Sequence, residues 1–153
     1  MAGMNVSMVA ISEIVPYWNN PRKNEKAVDA VANSIKEYGF KKPILIDSDG
    51  VIIAGHTRRL AAIKIGIDTV PCITIADLDD DKKKAFRLAD NRVSEFSEWD
   101  KELLEKEIMS IANVDFSDFG FEKEHIKNAI EESVGMKTHI CPKCGMEWTA
   151  KEV

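Results

Sequence analysis

The sequence predicts an α/β domain, a small mixed sheet with packed helices, followed by a helical segment and a short cysteine-bearing tail. Two observations carry this. Short runs rich in β-branched residues, Ile44–Ile46, Val51–Ile53 and Thr69–Ile75, have the length and composition of strands. Between and after them apolar residues recur every three or four positions, as in Val28, Val31, Ile35 and Tyr38, the period of a helix with one buried face. Composition adds limits. With 153 residues, 44% hydrophobic and 31% charged, the chain can bury one compact core and small appendages. A formal charge of -5 and a pI near 5.3 argue against a broad footprint on duplex DNA, though a local basic patch is compatible with both. No apolar run approaches a membrane span, the N-terminus lacks a signal-peptide layout, and three cysteines make no disulfide framework. The cytoplasm is the expected compartment, with no membrane partner.

In chain order, Met8–Ile11 reads as a first strand, and Ile14 and Val15 extend the apolar signal to Pro16. Tyr-Trp-Asn-Asn-Pro-Arg-Lys-Asn, residues 17–24, is a loop by its proline and asparagines. Helical spacing runs from Glu25 to Tyr38 and stops at Gly39. The strands Ile44–Ile46 and Val51–Ile53 form a hairpin about Asp47-Ser48-Asp49-Gly50. Ala54-Gly55 turns the chain into a helix that ends at Gly66. Pro71 in the strand Thr69–Ile75 argues for an edge position or a strand start. Asp79–Asp81 open a helix whose apolar face is Phe86, Ala89, Val93 and Phe96. Asp100 is an N-cap for the next, with Leu104, Ile108 and Ile111 inward. Phenylalanines 116, 119 and 121 mark a packed turn, and Glu122–Glu132 reads as a last short helix. The domain is therefore placed at 8–99, a helical extension at 100–133, and a separate or unstructured tail at 136–153.

The chemistry concentrates where Val51–Ile53 runs into the following helix. Gly55, His56, Thr57, Arg58 and Arg59 fall at the helix start, where backbone N–H groups lack intrahelical partners and the helix dipole is positive. Two arginines and a hydroxyl there can cradle a phosphate. A solvated turn bearing surface arginines accounts for the same residues equally well. His56 could donate a hydrogen bond or act as general base, or it could pack its ring on a neighbour. Cys72 reads as a small buried hydrophobe. In the tail, Cys141-Pro142-Lys143-Cys144-Gly145 has the spacing of a zinc knuckle, with His139 as a third ligand candidate. Such a site is a half-motif: completed by a second chain it would make a homodimer, and otherwise Cys72 could complete it or it is a remnant.

The boxes NNPR, AGHTRRLAA and ADNR, in that order and with these elements between them, resemble the ParB N-terminal (ParB/sulfiredoxin) domain family. The similarity runs from about Val9 to Glu132 and is closest to the branch found in phages and beside DNA-modification methylases. The resemblance implies a CTP- or ATP-handling fold with Mg2+. By position, Gly55, His56, Thr57, Arg58 and Arg59 would form the phosphate box, Asn20 and Arg22 the front loop, and Asp90, Asn91 and Arg92 the third box. Asn91 would help orient the hydrated Mg2+, and His56 and Asn91 are the catalytic candidates. There are departures too. His56 stands where partition proteins carry Glu and sulfiredoxins their catalytic Cys, so the sulfiredoxin reaction lacks its nucleophile. The methylase motifs are missing, and no clustered carboxylates support strand cleavage. The box also resembles that of free serine kinases, for which Glu13, Asp47 and Asp49 would be the candidate bases. The expected function is a nucleotide-binding module, a slow Mg2+-dependent NTPase or switch, in phage or mobile-element DNA metabolism. The alternatives are a non-catalytic adaptor for DNA, a methylase or a terminase, and a small-molecule kinase.

Overall fold

A computed structural model of the chain describes residues 5–111 and 114–121, together with the strand backbones 136–140 and 147–151. The chain divides after Glu98 into two compact units. In the first, β1 (Val6–Ala10) leads through a single 3-10 turn into a front loop that reaches Asn24. Helix α1 (Val28–Tyr38), the hairpin β2 (Ile44–Ile46) and β3 (Ile52–Ala54), helix α2 (His56–Lys64), β4 (Thr69–Thr74) and helix α3 (Asp80–Val93) follow. The sheet order is β1-β4-β2-β3, with β4 antiparallel to β1 and parallel to β2, so the sheet is mixed as the sequence implies.

The core explains this order. Ile14, Ile44, Ile46, Ile52, Val70 and Cys72 are buried together under Ala62 of α2. Burying each large aliphatic side chain contributes about 1.5–3 kcal/mol. A second cluster joins Ala32 and Ile35 of α1 to Ala61 of α2, and the two alanines let the helices approach closely. Cys72 is a fully buried free thiol, and burial raises its pKa. The turn of the hairpin is held by Asp47, which is buried. Its Oδ1 accepts from Asp49 N at 3.0 Å and Val51 N at 2.9 Å, and its Oδ2 lies 3.7 Å from Lys83 Nζ.

Three expectations are corrected here. β1 ends at Ala10, and Ile11 enters the 3-10 turn instead. Pro71 lies in an interior strand: β4 sits between β1 and β2, and pairing with β2 begins at Cys72, so the missing N–H falls before that ladder starts. The apolar stripe assigned to α3 is largely exposed, Val93 at 63% and Phe96 at 66%, whereas the buried side chain of that helix is Arg87. Spacing identified a helix and chose the wrong inward face.

In the second unit, helix α4 (Lys101–Ser110) is capped by Asp100, whose Oδ1 accepts from Leu103 N at 3.1 Å. The ring of Phe121 lies 5.9 Å from that of Trp99 and 5.8 Å, edge on, from that of Phe116. Within the tail, β5 (Met136–Ile140) and β6 (Glu147–Lys151) pair antiparallel, with His139 opposite Trp148. Strict alternation is absent from MKTHI but present in Glu147-Trp148-Thr149-Ala150-Lys151, a signal the sequence reading did not use. The helix expected at Glu122–Glu132 and the thiols Cys141 and Cys144 lie outside the described residues. Among the described residues no helix is long and apolar enough to cross a membrane.

Candidate functional site

The first turn of α2 has the form expected of an anion cradle. Gly55, its N-cap, adopts φ 113° and ψ 23° and offers no side chain to cap the helix. Intrahelical bonding begins with Arg59 N to Gly55 O at 3.0 Å, so the N–H groups of His56, Thr57 and Arg58 precede the ladder. A Cβ on Gly55 would stand 3.2 Å from Cζ, Nε and Nη2 of Arg58, so the guanidinium lies against the glycine backbone. Glycine is required here by both conformation and space.

The arginines near this turn also hold the fold. Arg59 Nε donates to Ile14 O at 2.9 Å. Arg58 Nη1 donates to the carbonyls of Lys42, at 3.0 Å, and Pro43. Burial pushes the Arg58 guanidinium below its ordinary pKa, and the Asp90 carboxylate pulls the other way. Arg87 Nε donates to Ile52 O at 3.0 Å, and its guanidinium sits 4.0 Å from the centroid of the Tyr17 ring. Each arginine ties down a different backbone segment.

The front loop is fastened onto this turn by side chains. Tyr17 N donates to His56 Nε2 at 3.2 Å, and Thr57 Oγ1 donates to Asn24 Oδ1 at 3.2 Å. Asn20 closes its own turn about Pro21, accepting from Arg22 N and donating to Arg22 O, both at 3.3 Å. Arg22 Nη1 reaches across to Asn91 Oδ1 at 2.9 Å. The Tyr17 contact assigns the imidazole proton of His56 to Nδ1. Burial, then the charges of Arg87 and Arg59, lower the His56 pKa. The ring is neutral near pH 7, and the lone pair that a general base needs is already engaged. A donor at Nδ1 is the role this geometry leaves to it.

The third box does not act as a block. Neighbours on a helix point about 100° apart, so Asp90, Asn91 and Arg92 cannot share one direction. Asp90 influences Arg58, and Asn91 faces the front loop while its Nδ2 donates to Arg87 O at 2.8 Å. Arg92 turns away, pairing with Glu95 at 2.6 Å and lying 4.6 Å over the Phe96 ring. These residues do not fit a resident Mg2+. The Asn91 oxygen is taken by the Arg22 guanidinium, and the described residues contain no group of three His, Cys, Asp or Glu side chains placed for a metal. Asp47, a candidate base for the kinase reading, is taken up by the hairpin turn and Lys83.

Sequence reasoning missed Arg87, Tyr17 and Asn24. Arg87 precedes Asn91 by four residues, which puts both on one face of α3, and that spacing was available. It was passed over because an arginine is seldom the buried member of a helix. Tyr17 and Asn24 bracket the NNPR box but carry no spacing signal of their own.

The model of the ParB N-terminal domain matches residues 1–92. The chain is 40% identical over 75 residues to the ParB-like nuclease domain-containing protein YnaK of Escherichia coli K12, covering 48% of this chain and 86% of that one. It is 38% identical over 90 residues to a probable chromosome-partitioning protein ParB of Campylobacter jejuni, over 56% of this chain but only 32% of the relative. Among solved structures, it resembles the C-terminally truncated chromosome-partitioning protein ParB of Caulobacter crescentus complexed with CTP-gamma-S. That likeness has a TM-score of 0.61 at 23% identity, over 82% of this chain and 71% of the other, and carries the fold.

Proposed function

Because the chain belongs to the ParB N-terminal domain family, we propose that it is a nucleotide-binding module whose ligand places its phosphates on the first turn of α2. The observation that carries this is the glycine-capped helix start at Gly55, whose first-turn N–H groups precede the helical ladder, with Arg58 against the glycine and Arg22, Arg59 and Arg87 anchored on the adjoining segments. His56 at the same helix start has its pKa lowered first by burial and then by the charges of Arg87 and Arg59, so a neutral imidazole stands beside these cations. CTP is the first nucleotide to test, because the partition protein of similar fold was solved with a CTP analogue. Any Mg2+ would arrive on the phosphates, and no hydrolytic step is assigned to these residues.

The setting we propose is DNA metabolism, on the strength of the chromosome-partitioning relatives and, for a phage or mobile element, of the box resemblance alone. An acidic chain suits an accessory role beside DNA or a DNA-modifying or packaging protein better than a broad duplex contact. The Cys141 and Cys144 pair is proposed as a zinc half-site. Metal analysis of the purified protein and of Cys141→Ser tests it, and chelation should dissociate a dimer if two chains share the ion.

Calorimetric titration with CTP, ATP and GTP, with and without Mg2+, tests the main reading. One nucleotide should bind, and Arg22→Ala should weaken it about 10- to 100-fold, the size of one charge-assisted contact. Arg22 suits this because its charge is exposed and, among the described residues, its side chain bonds Asn91 alone. Absence of binding by all three nucleotides at millimolar concentration refutes the reading.

A further inference from the structure

Arg87 is buried, 7% exposed, yet the fold engages only part of it. Its Nε–H donates to Ile52 O, and the face of its guanidinium meets Tyr17. Among the described residues, no carboxylate lies within ion-pair distance of it, and its Nη hydrogens donate to no described side chain or carbonyl. No buried side-chain nitrogen among those residues lacks a partner, so the Nη groups are the part of Arg87 that meets solvent. A guanidinium keeps its charge at any pH near neutrality. Burying one without a counter-charge is unfavourable, and a neutral carbonyl and a π face compensate only in part. Its field is felt at His56, the first residue of α2, and it stands one helical turn before Asn91, which takes Arg22. A buried, oriented, partly engaged cation therefore stands beside the start of α2, linked to it through Tyr17, whose ring meets Arg87 and whose N–H bonds His56.

We propose that Arg87 contacts a phosphate of the bound ligand directly, from the α3 side of the cradle, with Tyr17 holding the guanidinium in plane. The proposal rests on the nucleotide reading above and narrows it. The ligand must be polyanionic, with a phosphoryl group seated deeper than the exposed Arg22. A merely structural Arg87 would lower affinity for every ligand together, whereas a phosphate contact makes the loss depend on phosphate number.

The test is titration of the full chain and of Arg87→Gln with CTP, CMP and inorganic tripolyphosphate. We expect Arg87→Gln to weaken CTP and tripolyphosphate about 10- to 100-fold. CMP should change far less, and the salt dependence of CTP binding should become shallower. Wild-type binding of CTP that Arg87→Gln leaves unchanged, or an equal loss for CTP and CMP, overturns the role of Arg87 while the nucleotide reading stands. Binding of tripolyphosphate but of no nucleotide refutes the nucleotide reading, and Arg87 is then judged on tripolyphosphate alone. Binding of neither by wild type overturns both. Should Arg87→Gln fail to fold, the Arg87 15Nε–1Hε resonance of the wild-type protein decides: a shift on adding tripolyphosphate supports the contact, and an unmoved resonance overturns it.

Discussion

Replacing Gly55 with alanine tests whether the helix start is built as described, before any ligand is involved. Gly55 holds φ 113°, where an L side chain is strained by about 1–2 kcal/mol. The new Cβ would also meet three guanidinium atoms of Arg58 at 3.2 Å, so Arg58 must shift and loosen its bonds to the Lys42 and Pro43 carbonyls. Weakening those charge-assisted bonds adds about 1–2 kcal/mol, for a total of roughly 2–4 kcal/mol. In a unit of this size each kcal/mol moves the thermal midpoint by about 4–8 °C. Two units make a single midpoint ambiguous, so native-state hydrogen exchange at the amides of β3 and α2 is the better assay. The two contributions can be separated. In an Arg58→Ala background the Cβ contact is gone and only the backbone strain stays, so the double-mutant cycle should show coupling of about 1–2 kcal/mol. An alanine variant within about 0.5 kcal/mol of wild type would refute the reasoning, since a surface position of no consequence behaves that way. A full loss with no coupling to Arg58 would leave the φ argument intact and discard the contact.

The remaining predictions concern the residues around this turn. His56 has a lowered folded-state pKa, so the unfolded chain binds the extra proton first and stability should fall as pH drops below about 6.5, levelling once the folded ring also protonates. Tyr17 amide exchange measured at pH 7.5 and 5.5 should show the same opening, and His56→Phe should abolish the pH dependence. Asp47→Ala removes the acceptor for the Asp49 and Val51 amides and leaves Lys83 without its inner partner, at a cost of about 2–4 kcal/mol. Nucleotide affinity of the folded fraction should be unchanged, and a selective loss of phosphate transfer would instead revive Asp47 as a base. Val93→Lys, on the exposed stripe of α3, should change stability by no more than about 0.5 kcal/mol in chemical unfolding, whereas a core position would lose several times that.

The fold was legible where two signals agreed. Ile44–Ile46 and Val51–Ile53 combine β-branched composition with an Asp-Gly turn, and the hairpin followed, with its second strand displaced by one residue to Ile52–Ala54 and its register shifting between Leu45 and Ile46. The start of α2 was legible because a strand, a glycine and a helical period meet within a few residues. Single signals failed. Pro71 correctly announced a missing N–H, but which neighbour begins pairing one residue later is a tertiary fact. The stripe of Phe86, Val93 and Phe96 marked helix period, and burial went instead to Arg87, because a guanidinium that finds a carbonyl and an aromatic face can replace an apolar anchor. The candidate site was legible as a set of boxes and misjudged as a set of directions. Arg92 belongs to the ADNR box by sequence and to Glu95 by geometry.

What the arrangement adds is a distinction among the arginines that their sequence positions do not make. Arg58 and Arg59 hold neutral carbonyls of the α1–β2 connection and of Ile14, and Arg22 holds a neutral amide. A phosphate oxygen is a stronger acceptor than either, so an arriving polyphosphate can draw these donors without opposing an ion pair. The exchange is easiest at Arg22, whose contact joins two exposed side chains, and hardest at Arg59, whose bond fixes buried Ile14 in the core. The first contact is therefore expected from the exposed outer cation, with the inner ones fixing orientation once the phosphates are seated. In such an order the front loop is the part that responds, because Tyr17 and Asn24 fasten it onto the first turn of α2 while Arg22 fastens it onto Asn91 of α3. A ligand that displaces Asn91 from Arg22 loosens the loop at one point while the His56 and Thr57 contacts keep it in register.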